Sequence, residues 1–118
     1  MLKAGDKLFI AHRRLFDGDE PRFFSGRVVA YEAGIVKVAG HAWVRERVRG
    51  EFGRKPDERI KIVPVTSGAI IVYQLPDSVD LSALRLETRK TSFLLTDGSY
   101  SMDLTDRVQD LGGSARKS

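Results

Sequence analysis

The chain lacks several of the residues on which specialised sites depend. Its 118 residues include no cysteine, no asparagine and only two histidines. Without cysteine there is no disulfide bond, no thiolate metal site and no cysteine nucleophile. The longest apolar run, residues 69–73, is far shorter than the roughly 20 residues that cross a membrane. The charged start, residues 1–6, predicts no signal peptide. We therefore expect a cytoplasmic protein that does not enter a membrane.

The charge of the chain is basic and unevenly distributed. Twenty Lys and Arg residues stand against 16 Asp and Glu, which gives a net charge of +4. Residues 1–59 carry the whole excess, with 13 basic and nine acidic side chains. Many arginines with no asparagine are typical of a GC-rich bacterial genome, which is one explanation of the excess. The other explanation is attraction of an acidic partner.

Residues 23–45 predict a central β-hairpin around which the sheet is built. Residues 27–31 are β-branched and aromatic, as strands are, and Gly34 can adopt the positive φ of a tight turn. After the turn, small apolar residues alternate with a mixed set that includes Trp43, which we expect to be buried. Gly26 and Gly40 lie inside the two strands, and this position predicts a bend or a close approach of the backbones.

Six further segments have the alternation and the flanking turn residues of strands. They are residues 7–15, 59–65, 69–75, 84–88, 92–96 and 100–104. Pro64 predicts a sheet edge because proline cannot donate to a ladder. The apolar segment 69–75 predicts a fully buried strand. Asp97 and Gly98 predict a two-residue type I′ turn.

The fold class that follows is all-β. We expect a small single-domain barrel or sandwich of about seven or eight antiparallel strands over residues 1–112, with a short C-terminal helix over 104–111. Residues 113–118 are predicted to form a disordered tail. The first three strands and their glycine-bounded turns resemble those of an SH3-like small barrel.

Catalytic and metal-binding patterns are absent from the sequence. His12 and His41 have no third ligand at a metal-site spacing. No serine lies in a G-x-S-x-G motif, and no glycine cluster matches a phosphate-binding loop. The sequence therefore predicts a non-catalytic protein with no cofactor and no metal.

The segment 46–58 is the strongest candidate for a binding surface. It has two glycines, one proline and no sustained periodicity, so we expect a long exposed loop, and loops of this length are usually functional or disordered. Phe52 on this loop either packs back onto the domain or contacts a partner. The candidate binding residues are Arg45, Arg47, Arg49, Phe52, Arg54 and Lys55.

Two functions remain open from the sequence. The first is a protein-interaction or accessory module that contacts its partner through the loop and through the edge strand with Pro64. The alternative is an RNA- or single-stranded-DNA-binding small barrel, because arginines are interleaved with aromatic rings around residues 13–27 and 43–55. Acidic residues lie among the basic ones in both stretches and reduce their net positive charge. The sequence leaves the oligomeric state open.

Overall fold

The structure is a computed structural model that describes residues 1–13, 20–46, 48 and 50–105. These residues form nine strands and one 3₁₀ helix, and every strand pair is antiparallel, so the all-β prediction is confirmed. The strands are β1 (Lys7–His12), β2 (Arg22–Glu32), β3 (Ile35–Arg45), β4 (Phe52–Arg54), β5 (Arg59–Pro64), β6 (Ile70–Leu75), β7 (Arg85–Arg89), β8 (Ser92–Thr96) and β9 (Ser101–Asp103), and the 3₁₀ helix is η1 (Leu81–Ala83). The predicted helix over 104–111 and the tail 113–118 fall outside the described residues, except for the first two residues of that helix.

Six strands form one sheet in the order β4-β3-β2-β1-β6, and β5 lies beside β4 on the same edge of β3. The first half of β3 pairs with β5, as in Ile35 opposite Pro64, and its second half pairs with β4, as in Arg45 opposite Phe52. Within the described residues β5 and β6 each pair with one strand only, and the sheet is not closed into a barrel. The predicted edge position of Pro64 is confirmed.

The six-stranded sheet has a hydrophobic cluster on each face. On the face that we call inner, the buried residues all belong to this sheet, and they are Leu8, Ile10, Phe24, Val28, Val36, Val38 and Val63. The opposite, outer face is partly covered by a second sheet of three strands in the order β7-β8-β9. Phe9, Phe23 and Trp43 of the outer face pack with Phe93 and Leu95 of the second sheet. The molecule is therefore a two-layered β-structure in which one layer is curved over its own core.

The central hairpin follows the predicted pattern. Ala33 and Gly34 have φ values of 51° and 81°, and they form the two-residue turn between Glu32 and Ile35, which pair directly. A β-bulge at Val29 shifts the register and increases the local twist of the strand. Trp43 is 2% exposed, as predicted. The alternation of side chains along β3 was therefore a reliable guide to its two faces.

One prediction about a turn and one prediction about burial were wrong. The Asp97-Gly98 turn is longer than a two-residue type I′ turn, because Thr96 pairs with Ser101. Gly98 has the expected positive φ of 103°, but Asp97 does not share it; its Oδ1 instead accepts hydrogen bonds from the backbone N–H groups of Ser99 and Tyr100. Strand β6 is half-buried along most of its length because it lies at the edge of the sheet, and only its last residue is buried.

Candidate functional site

The second sheet leaves one half of the outer face uncovered. This bare half is formed by β2, β3 and β5, where Ile62 lies opposite Lys37 and Ile60 lies opposite Ala39. Ile35 is 49% exposed, Ile60 is 62% exposed and Ile62 is 67% exposed. Neighbouring large apolar residues exposed on one face of a sheet are typical of a protein-interaction site. We call these three isoleucines, with Lys37 between them, the bare outer face.

Strand β5 also offers a free hydrogen-bonding edge. In an antiparallel pair, residues alternate between those that bond their partner and those that point their backbone groups away. The N–H of Val65 donates to the carbonyl of Gly34 at 2.9 Å, which fixes the phase of this alternation. It follows that Ile60 and Ile62 direct their N–H and C=O groups away from β3. Pro64 has the same orientation, so its missing N–H lies at the free edge, where its absence costs nothing.

The sequence analysis did not single out Ile60 and Ile62. Alternation alone showed that Ile60 and Ile62 share one face of β5, but it could not show whether that face is covered. The available signal was the combination of this apolar face with Pro64, which predicts a sheet edge. An edge strand has neighbours on one side only, so its apolar face is exposed more readily than that of a central strand.

The predicted loop over 46–58 contains β4, which the sequence analysis missed. Phe52 packs between the two sheets, with its ring centroid 5.4 Å from Phe23 and 5.2 Å from Phe93. It is half-buried, so of the two predicted alternatives the structure shows the one in which Phe52 packs back onto the domain. A ring in this position joins the layers and is not presented to a partner.

Two of the candidate arginines, Arg45 and Arg54, are also engaged within the chain. The guanidinium group of Arg54 donates to the carbonyls of Leu81 and Ser82 at 2.8 and 2.9 Å and lies 5.7 Å from the centroid of the Trp43 ring. Arg45 donates from Nε to the carbonyl of Gly50 at 3.3 Å. These contacts fix the segment against β3 and η1.

Three other candidate residues have different outcomes. Arg47 and Arg49 lie outside the described residues. The side chain of Lys55 is exposed, while its backbone N–H donates to the carbonyl of Ala42 at 2.8 Å. The structure therefore brings Phe52 and Arg54 to the junction of the two sheets and leaves Lys55 as the exposed cation of the described part of the segment.

A groove of about 390 Å³ separates the covered and bare halves of the outer face. Its floor is formed by β2 and β3, and its walls are formed by the segment after β4 and by η1; its polar lining residues are Ser25, Arg27, His41, Arg54, Glu58 and Ser82. Nδ1 of His41 lies 3.0 Å from the carbonyl of Lys55, an acceptor, so this nitrogen carries the proton. The groove borders the bare outer face and can extend a contact made there.

The two histidines do not meet. His41 lies on the outer face beside the groove, whereas His12 lies at the end of β1 with its Nε2 atom 3.2 Å from Nζ of Lys61 on the inner side. Across the described ranges, no three His, Asp or Glu side chains are grouped so that they could hold a metal ion. In the same ranges no helix is long and apolar enough to cross a membrane.

Replacing Phe52 by Ala tests whether this ring is a structural anchor. We expect a loss of about 2 kcal/mol in the free energy of unfolding, below the usual 3–5 kcal/mol for a fully buried ring because Phe52 is half-buried. Lys55→Ala is the matched control on the same segment and should change stability by less than about 0.5 kcal/mol. Urea unfolding gives both values. Equal stability of the two variants would show that Phe52 does not join the sheets.

Comparison with known proteins gave no match: no family model fits the chain, and neither a curated protein nor a solved structure is significantly similar to it. Any functional statement must therefore come from the arrangement of its own residues.

Proposed function

We propose that the protein is a non-catalytic interaction module that binds an extended segment of a protein partner along β5. The observation that supports this proposal is the exposure of Ile60 and Ile62 on a strand whose backbone, within the described ranges, is unpaired on one side. A partner segment added as a further strand would bond to the free backbone groups and place its own side chains beside Ile60 and Ile62. Main-chain bonds supply affinity in this mode, and alternate side chains supply specificity.

The chemistry of the partner follows from the charges near β5. Lys37 lies opposite Ile62 at the centre of the bare outer face, and Arg27 lies in the adjoining groove in the row of Ile60. The acids Glu32 and Glu58 lie at the two ends of this face. We therefore propose a segment in which apolar residues alternate with Asp or Glu. A second copy of this chain is a poorer occupant, because pairing β5 with itself would bring the like charges of Arg59 and Lys61 together. In keeping with the absence of cysteine, we place this interaction in the cytoplasm.

The nucleic-acid alternative is less well supported. Stacking of bases requires exposed aromatic rings, but Phe23, Phe24 and Trp43 are at most 2% exposed and Phe52 is packed between the sheets. In the described part of these stretches, the rings that the sequence interleaves with arginines therefore lie in the core. A salt titration of binding to random-sequence single-stranded RNA and DNA separates the two functions, since binding to phosphates weakens steeply with salt.

Selection from a library of random displayed peptides tests the proposed contact. We expect the selected peptides to be extended, with apolar and acidic residues in alternation, and to bind at least about tenfold more weakly to Ile62→Ser, because an exposed apolar anchor is lost. Val44→Ser is the matched control, since Val44 is an exposed residue of β3 outside the bare outer face.

Three outcomes would contradict the proposal. One is the failure to select any peptide, and another is equal binding of the selected peptides to Ile62→Ser and Val44→Ser. The third is a stable dimer, seen by light scattering, that the Ile62→Ser change dissociates, because the occupant of β5 would then be a second copy of the chain.

A further inference from the structure

Four basic side chains meet at one end of the inner face. His12 at the end of β1 lies directly opposite Arg22 at the start of β2. Arg59 and Lys61 are two residues apart on β5 and share the face of Val63, which packs in the inner core. The contact of 3.2 Å between Nζ of Lys61 and Nε2 of His12 joins the two pairs. We call His12, Arg22, Arg59 and Lys61 the inner basic cluster.

Lys61 occupies an unusual position for a lysine. It is half-buried, with its ammonium group 5.2 Å from the centroid of the Phe24 ring. A protonated lysine has only donors, so Nε2 of His12 must accept and the imidazole must be neutral, with its proton on Nδ1. The ammonium group is therefore stabilised by a ring face and one lone pair, which are weaker partners than an anion.

The described inner face supplies no carboxylate to this cluster. The residues of β3 and β6 that face the same end are Gly40, Ala42, Ile70 and Val72, none of which ionises. The acid nearest in sequence, Glu58, lines the groove on the outer side instead. Among the described residues, four basic groups thus face one region of space without an opposing charge.

The protonated forms of His12 and Lys61 are disfavoured in this cluster. Burial, and then the positive charges of Lys61 and Arg22, lower the pKa of His12 below its ordinary value. Burial, and then the charges of Arg22 and Arg59, lower the pKa of Lys61. A bound anion would reverse both effects, because it favours the protonated form of each group.

We propose that the inner basic cluster binds a phosphate group. Arg22 and Arg59 are exposed to solvent and can donate in the forked geometry that suits phosphate oxygens, while Lys61 adds a point charge. A dianion matches this concentration of positive charge better than a single carboxylate does. The phosphate site lies on the inner face of β5, whereas the proposed peptide contact uses its edge and outer face, so each proposal can fail without the other.

The first test is calorimetric titration of the full chain with inorganic phosphate at constant ionic strength. We expect binding that is at least about tenfold weaker in Lys61→Met, because a hydrogen bond to a charged group is lost while the side chain still covers Phe24. Lys90→Met removes an exposed lysine from the turn between β7 and β8 and should bind as the unchanged protein does. Equal binding of inorganic phosphate by the two variants, or no binding by the unchanged protein, counts against the proposal, and it overturns the proposal if the second probe shows no loss in Lys61→Met either.

The second probe is a single-stranded oligonucleotide that has no terminal phosphate, which distinguishes a phosphodiester backbone from free phosphate. Binding of either probe that is lost in Lys61→Met supports the site and identifies its source of phosphate. If neither probe shows a loss in that variant, the proposal is wrong.

The third measurement uses sulfate, which keeps both negative charges over the pH range in which inorganic phosphate takes up a proton. Affinity for sulfate should rise as the pH falls below 6.5, the ordinary pKa of a histidine. His12 then gains a proton, and its positive charge favours the anion. The rise should be absent in His12→Gln. An equal rise in that variant, or no rise in the unchanged protein, would contradict the assigned role of His12.

Discussion

Trp43→Ala is expected to lower the free energy of unfolding by about 3–5 kcal/mol, the usual cost of removing a buried aromatic ring. Trp43 is 2% exposed and belongs to the cluster between the two sheets. Its indole N–H donates to the hydroxyl of Ser25 at 2.9 Å, and the guanidinium group of Arg54 lies over its ring. The change therefore removes a packed ring and leaves the Ser25 hydroxyl without this hydrogen-bond partner.

Urea unfolding measures this loss of stability. Two controls separate the contribution of the hydrogen bond from that of the packed ring. Ser25→Ala removes only the acceptor of the indole hydrogen bond and should cost about 1–3 kcal/mol, because the buried N–H is then unsatisfied. Val44→Ala shortens an exposed side chain on the adjacent position and should cost less than about 1 kcal/mol. A loss below 1 kcal/mol for Trp43→Ala would show that the ring does not hold the two sheets together.

Gly40→Ala is expected to cost at least about 3 kcal/mol or to prevent folding, at or above the upper end of the cost of overpacking. A Cβ atom at Gly40 would lie 1.9 Å from the carbonyl oxygen of Ser25 and 2.6 Å from the Cα atom of Gly26. Both obstacles are backbone atoms of β2, so no side chain can rotate to relieve them. Strands β2 and β3 approach each other closely here because the paired residues, Gly26 and Gly40, have no side chains.

Gly53→Ala is the matched control for this prediction. Gly53 also lies within a strand, but no atom lies within 4 Å of the position of its Cβ, and its φ is not in the left-handed region. Its replacement should leave the free energy of unfolding unchanged or raise it slightly, because alanine allows the unfolded chain fewer conformations than glycine does. Thermal unfolding compares the two variants. Similar melting temperatures would refute the close approach of β2 and β3.

The sequence was most informative where one rule determines the local structure. The alternation along β3 predicted which side of the strand carries Trp43, since successive side chains point to opposite faces. Gly26 and Gly40 were predicted to permit a bend or a close approach, and the structure shows the close approach. Pro64 was predicted at an edge because it lacks a donor, and it lies there.

The sequence was least informative where tertiary contacts decide the outcome. Strand β4 has three residues and contains a glycine, so its local preference for a strand is weak; pairing with β3 and packing of Phe52 against Phe93 determine it. The turn at Asp97 depends on its side chain accepting backbone N–H groups, which competes with the type I′ geometry that Asp-Gly favours. Such contacts cannot be deduced from periodicity.

In the candidate site, too, tertiary contacts decided what the sequence could not predict. Arginines and a lone phenylalanine on an irregular segment predicted a contact surface, but Phe52 and Arg54 hold the sheets together. The exposure of Ile60 and Ile62 could not be predicted from the sequence, because it depends on where the second sheet ends. The position of that sheet is a property of the whole fold.

Amide hydrogen exchange at Ile60 and Ile62, measured by NMR with and without a selected peptide, tests the proposed strand addition most directly. In the free chain these two amides should exchange quickly, while those of Lys61 and Val63, which bond to β3, should be protected. Peptide binding should slow exchange at Ile60 and Ile62 by at least about tenfold, as each gains a backbone hydrogen bond. Unchanged exchange at both residues in a peptide-saturated chain, or new protection confined to β6, would contradict the proposal.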